Sequence, residues 1–250
     1  IGAFSFSFTS IEKVIIPSSV LYIESNSFYL CRYLTCVEFE ENSSLKSIGC
    51  HAFYQTSIER IEIPSQNVLI DDFAFDECHE LEEIEFQKDS KLNYIGFNSF
   101  ATAAIKSIYI PKHVTQIKGY AFSDCENHES FECSKNSELN SLDSFVFSDS
   151  PLRRISIPSS VSEFINGWCS LSSRICELNV IPTEKQNIIC YNKDYILLKS
   201  DPKSSIYDVL VFARRNIENA IIPSFIKRIA LYAFCNCYLL ENVIFTKNSE

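Results

Sequence analysis

The feature that most constrains this chain is a four-residue motif that returns at a fixed interval. Val14-Ile15-Ile16-Pro17, Ile61-Glu62-Ile63-Pro64, Ile108-Tyr109-Ile110-Pro111 and Ile155-Ser156-Ile157-Pro158 are each 47 residues apart. A constant period of this size is the signature of a solenoid, in which each unit buries its apolar face only against its neighbours. A weaker strand lies between successive copies. Marked by the last apolar residue, the series runs Ile16, Phe39, Ile63, Phe86, Ile110, Cys133, Ile157, Val180, Ile222 and Phe245. The steps are 23, 24, 23, 24, 23, 24, 23, 42 and 23, so the 47-residue period is two coils and one long step marks an insertion.

Other ladders keep the same register. A phenylalanine precedes the strand marker by ten or eleven residues in eight coils (6, 28, 53, 75, 100, 122, 147 and 234), and Cys169 beside Trp168 takes that place in a ninth. Five residues before each phenylalanine stands an aliphatic, such as Ile23, Ile48 and Ile70, and five before the marker another, such as Leu34, Ile58 and Leu81. Stacking these anchors coil on coil predicts one continuous core and a rod of roughly 45 Å at the spacing of a β-ladder. Pro17, Pro64, Pro111, Pro158 and Pro223 each follow a short strand, where a residue without an N–H ends the ladder and starts the return. The returns carry Ser, Asn and Lys clusters such as Glu41-Asn42-Ser43-Ser44, which is loop chemistry.

The expected fold is therefore a β-rich repeat solenoid with 23/24-residue coils, short parallel strands and loop-rich returns, a single array over residues 1–250. The insertion is placed at about 183–219. Ile188–Tyr191 and Tyr195–Leu198 flank Asn192-Lys193-Asp194 as a β-hairpin, and 207–212 reads as a further strand. The absence of methionine and the coils interrupted at both ends read as a fragment of a longer chain.

Composition narrows the function. At 46% hydrophobic the chain has material for a large core. A net charge of −10 argues against nucleic acid and against an anionic membrane surface. No apolar run reaches the length of a spanning helix. The eleven cysteines are an odd number, and Cys31, Cys78, Cys125 and Cys237 each lie three residues after a ladder phenylalanine, so a row of buried thiols with few or no disulfides is expected. His51, His79, His113 and His128 have no metal-ligand spacing and are assigned to surface or turns; no metal or cofactor is expected. Phosphate-cradling and nucleophile motifs are absent from the sequence, which disfavours an enzyme.

The informative surface is the outward residue of each strand, the one between the two apolar anchors. In order these are Ile15, Glu38, Glu62, Glu85, Tyr109, Glu132, Ser156, Asn179, Ile221 and Ile244. With Arg60, Glu83 and Arg154 in the adjoining row partly offsetting the acidic stripe, the candidate partner-binding face is Glu38, Arg60, Glu62, Glu85, Tyr109, Glu132 and Arg154. Ile221 and Ile244 are expected to lie beneath the insertion.

Ile63-Pro64 through Ala74-Phe75, Cys78, Leu81, Ile84 and Phe86, and again Ile222-Pro223 through Ala233-Phe234, Cys237, Leu240 and Phe245, resemble the repeat of BspA-like leucine-rich-repeat surface proteins. The Tyr191-Asn192-Lys193-Asp194 hairpin is similar to an insertion found in that family; the coil around Trp168-Cys169 and His128 depart from the pattern. The resemblance implies a cell-surface or secreted protein and a non-enzymatic adhesion role, with protein partners that include host or matrix proteins. A cytoplasmic scaffold for protein–protein interaction is the alternative, favoured by the abundance of cysteine.

Overall fold

The computed structural model describes residues 1–165 and 167–247. They form a right-through stack of parallel β-coils with no helix among the described residues. Each regular coil contributes a four- or five-residue front strand and then a two-residue strand on an adjoining face. Seven of the short strands, from Tyr22–Ile23 to Glu163–Phe164, pair in strict coil order in one parallel sheet. Between the two lies the core. Ladder phenylalanines 28, 53, 75, 100, 122 and 147 are fully buried, and successive rings from Phe6 to Phe147 stack at 5.1–6.0 Å with planes within 12°.

The return arm around each phenylalanine explains how a chain with few glycines turns so tightly. The residues two before and two after the ladder position adopt left-handed φ, as in Asn26 and Leu30, Phe73 and Glu77, or Tyr120 and Asp124. The ladder N–H then donates to the next coil, Phe53 N to Ala74 O and Phe75 N to Ser99 O, both at 2.8 Å, while alternate N–H groups close turns within their own coil. Most amides of the wall thus find an acceptor, which offsets the strain of the left-handed residues.

The front ladder is less continuous than expected. Strands pair fully across each 23-residue step, as in Glu62 opposite Glu85 and Tyr109 opposite Glu132. Across the 24-residue steps pairing shrinks to one residue pair between Cys36–Phe39 and Arg60–Ile63. It is lost between Glu83–Phe86 and Ser107–Ile110, and it stops one residue short between Ser130–Cys133 and Arg154–Pro158. The extra residue of the longer coil keeps these strands from lying flush, so the front face divides into two two-strand plates joined at a single residue pair and then one four-strand plate. Pro158 departs from its expected place outside the strand and ends Arg154–Pro158, opposite Ile181.

The insertion folds as anticipated around the Ile188–Tyr191 and Tyr195–Leu198 hairpin, whose turn places Asn192 and Lys193 at left-handed φ. Its last strand, Val209–Ala213, runs antiparallel to Tyr195–Leu198 and then pairs parallel with Arg228–Ile229 of the resumed array. It therefore takes a place on the short-strand side, and its Phe212 packs against Trp168 at 5.3 Å. This corrects the expectation that it would cover Ile221 and Ile244, which are 55% and 53% exposed.

Three further expectations are corrected. His128 is fully buried in the aliphatic register, between Phe122 and Phe147. Ser156 is buried, a short side chain below Glu132 and Asn179 on the strands beside it. The end coils leave Phe6 and Ile229 partly exposed, each lacking a covering coil on one side.

At the junction one side chain serves several carbonyls. In several coils the residue three after the ladder position donates to the ladder carbonyl of the coil before: Cys78 Sγ to Phe53 O, Cys125 Sγ to Phe100 O, Ser150 Oγ to Phe122 O, Ser172 Oγ to Phe147 O. In the coil that follows Cys169 this place, three after Phe212, is held by an arginine. Arg215, buried and over the Phe212 ring, supplies the donors instead, to the carbonyls of Cys169, Ser172 and Ala233.

Candidate binding face

The outward stripe is positioned by strand alternation, which sends Ile61, Ile63 and Ile84 inward and leaves Glu62 and Glu85 in solvent. Glu38, Arg60, Glu62, Glu85, Tyr109 and Arg154 are exposed, and Glu132 is half-buried. The break between plates divides them. Glu38, Arg60, Glu62 and Glu85 line one shallow hollow of about 310 Å³ where Cys36–Phe39 splays from Arg60–Ile63, together with Cys36, Glu83 and Gln87. Tyr109, Glu132 and Arg154 belong to the next sheet and are not part of the hollow.

Charge is distributed unevenly around that hollow. Lys13 reaches Glu38 at 2.5 Å, and its ammonium, with help from the Cys36 thiol, holds the Glu38 carboxyl below its ordinary range. Arg60 turns along its own row to Glu83 at 2.5 Å, and Arg154 to Glu177 at 3.5 Å. The arginines thus neutralise the adjoining row rather than the stripe. Glu62, Glu85 and Glu132 have no cation within 4.0 Å among the described residues. Two carboxylates directly opposite repel, so the Glu62–Glu85 plate is a local anionic site that a cationic group of a partner would relieve. Sequence reasoning placed the stripe but missed Cys36 and Gln87 in the hollow; the alternation of 23 and 24 residues was the signal for the splay that admits them.

The thiol row is inert by its surroundings. Cys31, Cys78 and Cys125 are fully buried, and burial pushes the Cys78 thiol up to about 12; Cys237, in the less covered last coil, is only half-buried. Among the described residues no group of three or more His, Cys, Asp and Glu is placed to hold a metal ion, and no helix is long and apolar enough to cross a membrane.

Comparison with known proteins agrees with this architecture. A leucine-rich-repeat protein from Bacteroides ovatus superposes with a TM-score of 0.65 at 24% identity, over 98% of this chain and 57% of that one. The pneumococcal vaccine antigen PcpA superposes with a TM-score of 0.57 at 16% identity, over 95% of this chain and 63% of that one. The chain therefore spans less than two thirds of each of these structures, and the likeness at this identity is one of fold. No curated protein matches the sequence. The sequence description "BspA type Leucine rich repeat region" matches in six copies over residues 1–129, 93–189 and 203–250. With coils, ladders and repeat model in agreement, the chain belongs to the BspA-type leucine-rich-repeat family.

Proposed function

We propose that the chain is a non-enzymatic protein-binding module of a cell-surface or secreted protein, and that its front strand face engages host or matrix proteins in adhesion. The observation that carries this reading is the hollow between the first two plates. There a rigid, repeat-built frame holds Glu38, Glu62 and Glu85 around a concave, solvent-open surface, with Glu62 and Glu85 uncompensated. Such a surface selects a partner with a basic patch, and charge complementarity governs its capture and orientation. Tyr109, Glu132 and Arg154 on the following sheet extend the contact, Tyr109 being an exposed aromatic of the kind that anchors interfaces. The shared fold with a pneumococcal vaccine antigen is in keeping with this reading.

The test is the triple reversal Glu38→Lys, Glu62→Lys, Glu85→Lys, assayed on immobilised matrix proteins alongside antibody labelling of intact and permeabilised cells. The reading expects labelling of intact cells and an affinity loss of about tenfold or more, with an unchanged fold. Unchanged affinity overturns the assignment of the face. A second reading, a scaffold inside the cell, is favoured by the cysteines, all eleven of them free. Labelling only after permeabilisation selects it.

A further inference from the structure

Away from the front stripe, the return arm carries a run of aromatic rings. From coil to coil His51 meets Phe73 at 4.7 Å, Phe73 meets Phe97 at 5.6 Å, Phe97 meets Tyr120 at 5.4 Å and Tyr120 meets Phe145 at 5.1 Å. These rings are outside the core stack. Four of them, His51, Phe73, Tyr120 and Phe145, sit at left-handed φ, where a bulky side chain is strained and Asn or Gly is at ease. The same register holds Asn26, Asn98 and Gly167 in other coils, so the local backbone does not ask for aromatics.

Phe97 is the ring most open to a ligand. It stands 62° and 66° to its two neighbours, so neither stacks on its face. Its ring lies against Gly119, where a Cβ would come within 3.2 Å of Cε2 and 3.0 Å of Ser144 O, and the residue is 37% exposed. Asp72 stands beside it, one carboxylate oxygen accepting the Phe97 N–H at 2.7 Å. Over coils 3 to 7 the solvent-side positions of the arm carry Asp71, Asp72, Asp76, Glu77, Asp124, Asp143 and Asp149 against a single lysine, Lys118, which is bound to Asp143.

We infer that this return face docks an arginine-bearing segment of a partner polypeptide, one guanidinium lying on the outward face of Phe97 and pairing with Asp72. A planar guanidinium matches this site because it stacks on an aromatic ring and bonds a carboxylate at its edge at once, whereas an ammonium is a hydrated point charge. A neutral glycan would also use the ring and donate its hydroxyls to the carboxylates, but it carries no charge to offset their excess. The surface is distinct from the front hollow, and the inference does not depend on the front-face reading.

The experiment measures binding of oligoarginine and oligolysine peptides of equal length, and of a neutral glucan, to the full chain and to Phe97→Ser. Serine is native to this register at Ser25 and Ser144, so the variant keeps a residue the arm already accommodates. A second variant, Phe73→Asn, removes a framing ring while relaxing the left-handed site. The expected result is tighter binding of oligoarginine by about fivefold, a ratio that persists as salt weakens both peptides and falls to near one in Phe97→Ser. Equal binding of the two peptides, a ratio untouched by Phe97→Ser, or glucan binding that the variant abolishes would each overturn the proposal.

Discussion

The first seven coils and the junction that follows them solve one problem in opposite ways. In the array a hydrogen-bond row or a ring stack is made by repetition: Phe28 to Phe147 cover one another, and Cys, Thr or Ser three residues later finish the ladder carbonyls. At the junction the same needs are met once, by unrelated side chains. Trp168 stands at 77° to Phe147 and ends the stack, and Arg215, three residues after Phe212, serves several carbonyls where a Cys or Ser of the array serves one. The difference teaches that stability in a solenoid is shared among identical contacts, whereas at an insertion it is concentrated in a few residues. Substitution at the junction therefore disrupts more than its share.

The largest expected effect tests that concentration. Arg215→Met keeps the length of the side chain and removes every donor, leaving the carbonyls of Cys169 and Ser172 without the Arg215 donor and that of Ala233 with the Ala213 N–H alone. A destabilisation of about 4 kcal/mol is expected from several unsatisfied buried acceptors. Ser150→Ala in the array removes one donor of the same function, to Phe122 O, and is expected to lower stability by about 1 kcal/mol. Equal losses in thermal or denaturant unfolding would abolish the contrast.

Within the array, His128 is a local exception that pH exposes. Burial pushes its pKa down to about 4, against the ordinary histidine value near 6.5. Its Nε2 bonds Ser130 O at 3.1 Å, while Nδ1 has no partner. The unfolded chain binds the proton first, so this stability is fully present above about pH 6.5 and is lost as pH falls toward 4. The loss amounts to about 3 kcal/mol. Asp76, whose pKa is raised to about 6 chiefly by burial, titrates with the opposite sign over a similar range. The informative measurement is therefore the pH profile of wild type against His128→Leu. Leucine fills this register at Leu34, Leu81 and Leu152, and the variant should lose the acid-side slope that histidine contributes. Parallel profiles would show that the imidazole is hydrated.

A third exception runs toward gain. Asn67 is fully buried, and neither its Oδ1 nor its Nδ2 has a partner. It occupies the register of Val20, Val114 and Val161. Asn67→Val should raise stability by about 2 kcal/mol by removing unpaired buried polar atoms. A lower melting temperature would mean that the amide holds water needed there.

These cases mark how far the fold was legible in sequence. Whatever recurs at a constant offset was legible: the inward anchors, the short front strands, the hairpin turn and most of the outward stripe. The splay between plates was encoded in the single-residue difference between 23 and 24, but its consequence depends on how strands meet in space. The period puts Arg215, His128 and Asn67 in inward rows, but what a polar group there bonds was not legible, because each occurs once. The aromatic run on the return face escaped for a related reason. Its rings come from different offsets, Phe97 one residue earlier than Phe73 and Tyr120, and only the stacking of coils brings them into line.

The smallest expected effect lies on the front face and separates two glutamates that alternation alone treats as equals. Glu62 faces Glu85 across a fully paired step, so Glu62→Gln relieves a like-charge contact and should raise the melting temperature by about 1 °C. Glu38 faces a splayed step and is held by Lys13, so Glu38→Gln removes an attractive pair and should lower the melting temperature slightly. Both shifts should shrink in high salt, because the groups are exposed. Shifts of the same sign would show that the acidic stripe acts as one field, and that the division into plates has no electrostatic consequence. Opposite signs would show that the extra residue in every second coil decides which carboxylates remain uncompensated, and so available to a partner.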